Sequence, residues 1–109
     1  MNNMPFYKVN ELPATEMLEG VFRRAVYLDK VMLTFFDFEP GREIPEHSHP
    51  HEQISYVLEG EMIFTLDGET RTLHAGEGAT IPANAPHSAT FPGTARVVDA
   101  WHPLRQDYK

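Results

Sequence analysis

From Val21 onward, apolar runs short enough to be single strands alternate with turn signals, and helical periodicity is nearly absent. Val21 to Leu28 and Val31 to Phe38 are rich in Val, Leu, Phe and Tyr, and Asp29-Lys30 between them suits a tight hairpin. In the second run Met32, Thr34, Phe36 and Phe38 share one parity, while Val31, Leu33, Phe35 and Asp37 share the other. Both faces are therefore largely apolar, as expected inside a sandwich or at a subunit interface. Further strands are expected at Ile54 to Leu58, Glu61 to Leu66, Glu69 to Leu73, Gly76 to Ile81, His87 to Phe91 and Ala95 to Trp101. Asp67-Gly68 is a type I′ hairpin signal, and Glu59-Gly60 reads as another hairpin turn. Only Ala14 to Glu19, near the start, suits a turn of helix. The pattern predicts an all-β antiparallel sandwich or barrel. With 109 residues there is room for a single domain, 1–109, with one core and one site.

Composition narrows the function classes. The formal net charge of -7 argues against nucleic acid, whose binders carry a basic stripe. With no cysteine there is neither a disulfide framework nor a thiolate metal site, so a metal must be held by nitrogen and oxygen. The opening residues lack an apolar signal core and no run is long enough to span a membrane, so a soluble, cytoplasmic protein without a membrane partner is the expectation.

One stretch, Gly41 to Gly60, gathers His47, His49, His51 and Gln53 before an apolar strand. Side chains alternate along a strand, so His47 and His49 project to one side and can share an ion, with Gln53 on the same parity. Neutral imidazole is the commonest metal ligand, suited to zinc, copper, iron and nickel. Downstream, Gly76 to His87 ends in a proline-rich turn that delivers another histidine.

The two stretches together resemble the paired motifs of the cupin family. Gly41, His47, His49 and Gly60 keep the first motif's spacing, with Gln53 at its acidic position; Gly76, Pro82 and His87 fit the second, with Asn84 in place of a glycine. Asn tolerates the left-handed backbone better than other non-glycine residues. The resemblance implies a jelly-roll barrel, the cupin double-stranded β-helix. It also implies one divalent ion per chain, zinc, nickel, manganese or iron, on His47, His49, Gln53 and His87. An amide oxygen can take a carboxylate's place without adding charge, which leaves the ion its full double positive charge for Lewis-acid work on an anionic ligand. The motif does not use His51, which is expected to be an outer or rim residue, and His74 and His102 are expected at the surface or the pocket edge. Tyr56, Met62 and Phe64 are candidates for the barrel interior, either as core or as walls of a ligand pocket.

On the last strand Asp99 and Trp101 share a parity and can point into the barrel, and Pro103 can turn the chain so that Arg105 folds back to the mouth. These residues would supply a general acid or base, a stacking wall and a carboxylate clamp; the alternative is a surface salt bridge with Trp101 as a barrel anchor. The histidine-glutamine set with this tail resembles the KdgF group of pectin-degradation cupins, which open the ring of unsaturated uronates. That resemblance implies catalysis by Asp99 and Arg105 and a small anionic substrate met by Trp101 and Arg105; Tyr56 and Phe64, from the barrel-interior candidates, are expected to meet it too. The same ligands would also serve a dioxygenase, a polyketide-cyclase-like cupin or a non-catalytic ligand-binding cupin. Small cupins usually pair through their early strands, so a homodimer is expected to cover the apolar Val31 to Phe38 strand, an edge that would invite aggregation if left exposed.

Overall fold

The computed structural model describes residues 5–109, in which ten strands form two antiparallel sheets. In chain order they are β1 (Thr15–Leu18), β2 (Val21–Tyr27), β3 (Met32–Phe38), β4 (Arg42–His47), β5 (Glu52–Glu59), β6 (Glu61–Leu66), β7 (Glu69–His74), β8 (Gly78–Ile81), β9 (His87–Phe91) and β10 (Ala95–His102). One sheet has the order β1-β2-β3-β10-β5-β8 and the other β4-β9-β6-β7. This is a jelly-roll β-sandwich.

The alternation of each strand carries into burial. β3 buries Met32, Thr34, Phe36 and Phe38 and leaves Leu33, Phe35 and Asp37 half-buried, and β10 buries Ala95, Val97, Asp99 and Trp101. The inward faces interdigitate in one core of Phe36, Phe38, Val57, Phe64, Phe91 and Val97. Phe38 of the six-stranded sheet stacks on Phe91 of the other with ring centroids 3.6 Å apart, so the sheets meet through aromatic faces.

Three expectations give way here. Ala14 to Glu19 is not helical: Thr15–Leu18 is extended and pairs with β2, because tertiary pairing outweighs a short run's helix propensity. Glu59-Gly60 is no hairpin. β5 pairs with β10 and β8, β6 with β7 and β9, and the chain crosses between sheets at this corner. Gly60 is required there: its φ is 77° and a Cβ would collide with the Thr94 carbonyl. Finally, β3 is not an edge; it lies between β2 and β10, so its hydrogen bonds are taken and only its outward face is open. The β6–β7 hairpin forms as expected, with positive φ at both Asp67 (49°) and Gly68 (81°). Among the described residues no helix is long and apolar enough to cross a membrane.

Candidate metal centre and catalytic pocket

Strand register assembles the site. In the four-stranded sheet His47 of β4 stands opposite His87 of β9. The loop from β4 to β5 crosses between the sheets and carries His49. It is tied to the turn before His87 by the Asn84 amide, which donates to the His49 carbonyl at 2.7 Å, and Asn84 takes the positive φ (67°) that this turn needs. Facing them in the other sheet, Gln53 lies opposite Trp101 and Ser55 opposite Asp99, all on the buried parity of β5 and β10.

The ligand nitrogens of His47, His49 and His87 lie within 4.8 Å of one another. Each ring commits its Nδ1 to a backbone carbonyl: His47 to Pro45 at 2.9 Å, His49 to His51 at 3.0 Å and His87 to Ala85 at 2.9 Å. Donation there fixes the Nδ1–H tautomer and turns the Nε2 lone pair of each ring to the common centre. Burial pushes His49 and His87 below the ordinary imidazole value, and the Arg105 charge pushes the same way, so both rings are held neutral, the form that ligates. Gln53 Oε1 sits 3.1 Å from His49 Nε2. With the His49 proton on Nδ1 these are two acceptors face to face, an arrangement that a cation between them resolves. The residues present thus fit a divalent ion on three imidazoles and one amide oxygen.

Beyond the ligands, Gln53 Nε2 donates to Ser55 Oγ at 3.1 Å, and Ser55 Oγ donates to Asp99 Oδ1. Burial pushes the Asp99 carboxyl up to about 6, against the lowering pull of its bond from Ser55 and of the Gln53 amide nearby. Trp101 is buried, donates its indole N–H to Thr34 Oγ1 at 2.9 Å, and packs its ring edge-on to His49 with centroids 5.2 Å apart. It is at once an anchor for the barrel and a wall of the site. Arg105 lies over Trp101, 5.0 Å from its ring centroid, and over Tyr108 at 4.0 Å. Its guanidinium donates to Asp107 through Nε (3.3 Å) and Nη2 (2.9 Å) and to the Tyr108 hydroxyl through Nη1 (3.1 Å). The partner of Arg105 is Asp107, not Asp99, so a surface salt bridge between Asp99 and Arg105 does not exist in this fold.

One cavity of about 380 Å³ is lined by His47, Gln53, His87, Asp99, Trp101 and Arg105, with Phe64 on its apolar inner wall. Tyr56 is not among its walls. Gln53, Ser55 and Val57 occupy the inward parity of β5, so Tyr56 faces out and is 45% exposed. Its placement in the pocket is corrected by that count from Gln53. His51 is not among the walls either; its ring packs edge-on to His49 and Trp101, with centroids 5.7 and 6.3 Å away.

Sequence reasoning passed over Ser55, Thr34, Asp107 and Tyr108. Ser55 carried a usable signal: a small polar residue on the parity of Gln53, in an otherwise apolar run, has to bond something buried. Tyr108 carried none, since only the folded-back tail brings it under Arg105.

The Cupin domain family model matches residues 34–101. Among solved structures, an RmlC-like cupin from Shewanella frigidimarina NCIMB 400 superposes with a TM-score of 0.93 at 28% identity, covering 98% of this chain and 97% of that one. KdgF from Halomonas sp. superposes with a TM-score of 0.90, also at 28% identity, covering 96% and 98%. Among curated proteins, the polyketide synthase CurC of Streptomyces cyaneus is 47% identical over 49 residues, 44% of this chain and 32% of its own length. The chain thus spans about a third of that curated relative.

Proposed function

The chain belongs to the cupin family, and from that premise we propose that it is a metal-dependent enzyme that opens the ring of a 4,5-unsaturated uronate to give a 4-deoxy-5-keto sugar acid. The observation that carries this reading is the convergence on one cavity of a carboxyl with raised proton affinity, a guanidinium and a cluster of three imidazoles. A divalent ion on His47, His49, Gln53 and His87 supplies Lewis acidity toward the oxygens of an anionic substrate.

The chain's own residues do the rest. Three of the five guanidinium N–H donors of Arg105 are held by Asp107 and Tyr108, leaving one on each terminal nitrogen to grip the substrate carboxylate. That local positive charge is needed, because the net charge of -7 repels an anion. Asp99 accepts the proton of the C1 hydroxyl as the C1–O5 bond breaks and C1 becomes an aldehyde. The enolate released at C5 takes that proton back from Asp99 at C4 and becomes the ketone, so the reaction is an isomerisation that consumes no co-reactant. A carboxyl titrating at about 6 suits both halves near neutral pH. The assay is the absorbance of the substrate's conjugated double bond, which disappears on ring opening. The native protein should abolish it, and Asp99→Asn should slow that loss by about 10²- to 10⁴-fold. Full turnover by the Asn variant, or none by the metal-loaded native protein, overturns the reading.

The deeper wall favours a second reading. Phe36, Phe38, Met62, Phe64 and Phe91 line it, whereas a sugar acid is polar on every side. A substrate with an apolar body, such as a polyketide chain, matches that wall and the partial likeness to CurC. Turnover of aromatic polyketide substrates, with or without oxygen uptake, in the absence of uronate turnover selects it.

A further inference from the structure

Ser55 takes no part in the steps above, yet it is only 4% exposed and stands between a candidate ligand and the proton-transfer carboxylate. A serine hydroxyl owns one proton. An ionised carboxylate only accepts, so that proton is committed to Asp99, and Gln53 meets nothing but the lone pairs of Ser55 Oγ. Only the NH2 end of an amide can satisfy them. The two orientations of the Gln53 amide, nearly equal in shape, are therefore made unequal: nitrogen toward Ser55, oxygen toward the imidazoles. An unconstrained glutamine presents either end, and the NH2 end cannot ligate a cation.

We infer that Ser55 is a positioning residue of the metal centre: by giving its only proton to Asp99, it obliges Gln53 to present oxygen and makes the amide a ligand for a divalent cation. The inference rests on the reading above only in taking Gln53 as a ligand; the substrate does not enter it. The same bonding accounts for an amide where the motif has an acid. A carboxylate at position 53 would have no proton to offer Ser55, and two buried carboxylates would compete for one hydroxyl. The backbone is built to hold this arrangement. β5 lies inside its sheet between β10 and β8, and Gly78 of β8 approaches the Ser55 carbonyl so closely that a Cβ would collide with it.

The test is metal affinity, read without any sugar. The protein is stripped with chelator and titrated with Zn(II) and Co(II) against a competing metal dye, as the native chain, Ser55→Ala, Ser55→Thr, Gln53→Ala and the Ser55→Ala/Gln53→Ala pair. Ser55→Ala should weaken binding by roughly 10- to 100-fold, the range for losing a partner of a ligand, and should change the visible Co(II) spectrum as the amide leaves the ion. Ser55→Thr keeps the hydroxyl and should restore both affinity and spectrum. Because Ser55 acts only through Gln53, the double variant should bind no worse than Gln53→Ala alone. Native affinity and spectrum in Ser55→Ala overturn the inference, as does a full additional loss in the double variant. Circular dichroism of the metal-free variants checks folding. Should Ser55→Ala not fold, Ser55→Cys, close in volume but a poor donor, carries the same comparison. Uronate turnover can fail with all these outcomes intact, so the two readings fall separately.

Discussion

Asp99 has no cation bonded to it; its hydrogen-bond partner is the Ser55 hydroxyl. Burial therefore raises its proton affinity, and the sign of the consequence follows. The folded chain binds this proton more tightly than the unfolded one, so the contribution to stability is full below the unfolded value of 3.8 and is lost as pH rises through about 6. The loss amounts to about 3 kcal/mol. His49 and His87 act oppositely, their lowered values giving stability above about 6.5 that is lost as pH falls. Comparing metal-stripped native protein with Asp99→Asn cancels the histidines. From pH 4 to 7 the Asn variant should gain about 2 kcal/mol relative to the native chain in denaturant unfolding, whereas a constant difference would contradict a buried, cation-free carboxyl. Arg105 answers to a different measurement. Arg105→Ala should raise KM at least about tenfold, since a charge-assisted clamp on the carboxylate is what it removes. Tyr108→Phe, which keeps the ring beneath the guanidinium and deletes one hydrogen bond, should raise KM by less. Steady-state kinetics on the two variants check the order, and an unchanged KM in Arg105→Ala removes the clamp.

Among the elements, the strands whose ends carry turn chemistry were legible: Glu61–Leu66 and His87–Phe91 match their expected limits to the residue, because Gly60, Asp67-Gly68, Pro86 and Pro92-Gly93 bracket them. The order of strands was not. β10 lies between β3 and β5, a pairing made across most of the chain, and no local signal records it. Glu59-Gly60 was misread for that reason, since a tight glycine turn looks alike whether it joins neighbours in a sheet or crosses between sheets. The cluster of candidate ligands was legible because three of them lie in one short run; the Ser55–Asp99 contact was not, because it depends on the β5–β10 register. The β8–β5 contact gives this scale its prediction. Gly78→Ala would press a methyl onto the Ser55 carbonyl, a backbone atom that cannot step aside, and should cost about 1–3 kcal/mol together with metal affinity. Gly93→Ala meets nothing within 4 Å and should stay within about 0.5 kcal/mol. Equal melting temperatures for the two variants would show that β8 is free to move.

For the whole molecule, the open question is the outer face of the six-stranded sheet. Register aligns Phe35, Val98 and Tyr56 in one row and Leu33, Ala100 and Ile54 in the next, giving an apolar patch over three strands. Ile54, Tyr56 and Leu58 are 57%, 45% and 40% exposed. At its border Asp37 bridges Arg24 at 3.1 Å and Arg96 at 2.7 Å. A patch this continuous is expected to be covered, and a second copy laid on the same face gives a closed two-fold pair. A homodimer is therefore expected to use the sheet's face rather than the edge of the Val31 to Phe38 strand. Light scattering should give twice the chain mass at micromolar concentration, and Tyr56→Lys should halve it while leaving the inward-facing site untouched; a native monomer disposes of the pair.

The hydrogen bond from the Asn84 amide to the His49 carbonyl crosses from one half of the ligand set to the other. No strand ladder contains it, so this amide opens when the two loops that carry His49 and His87 part. Its exchange with deuterium thus reads out the opening of the centre: slow with an ion bound, faster by the factor the ion contributes once it is stripped, and tracking the rate at which chelator can extract it.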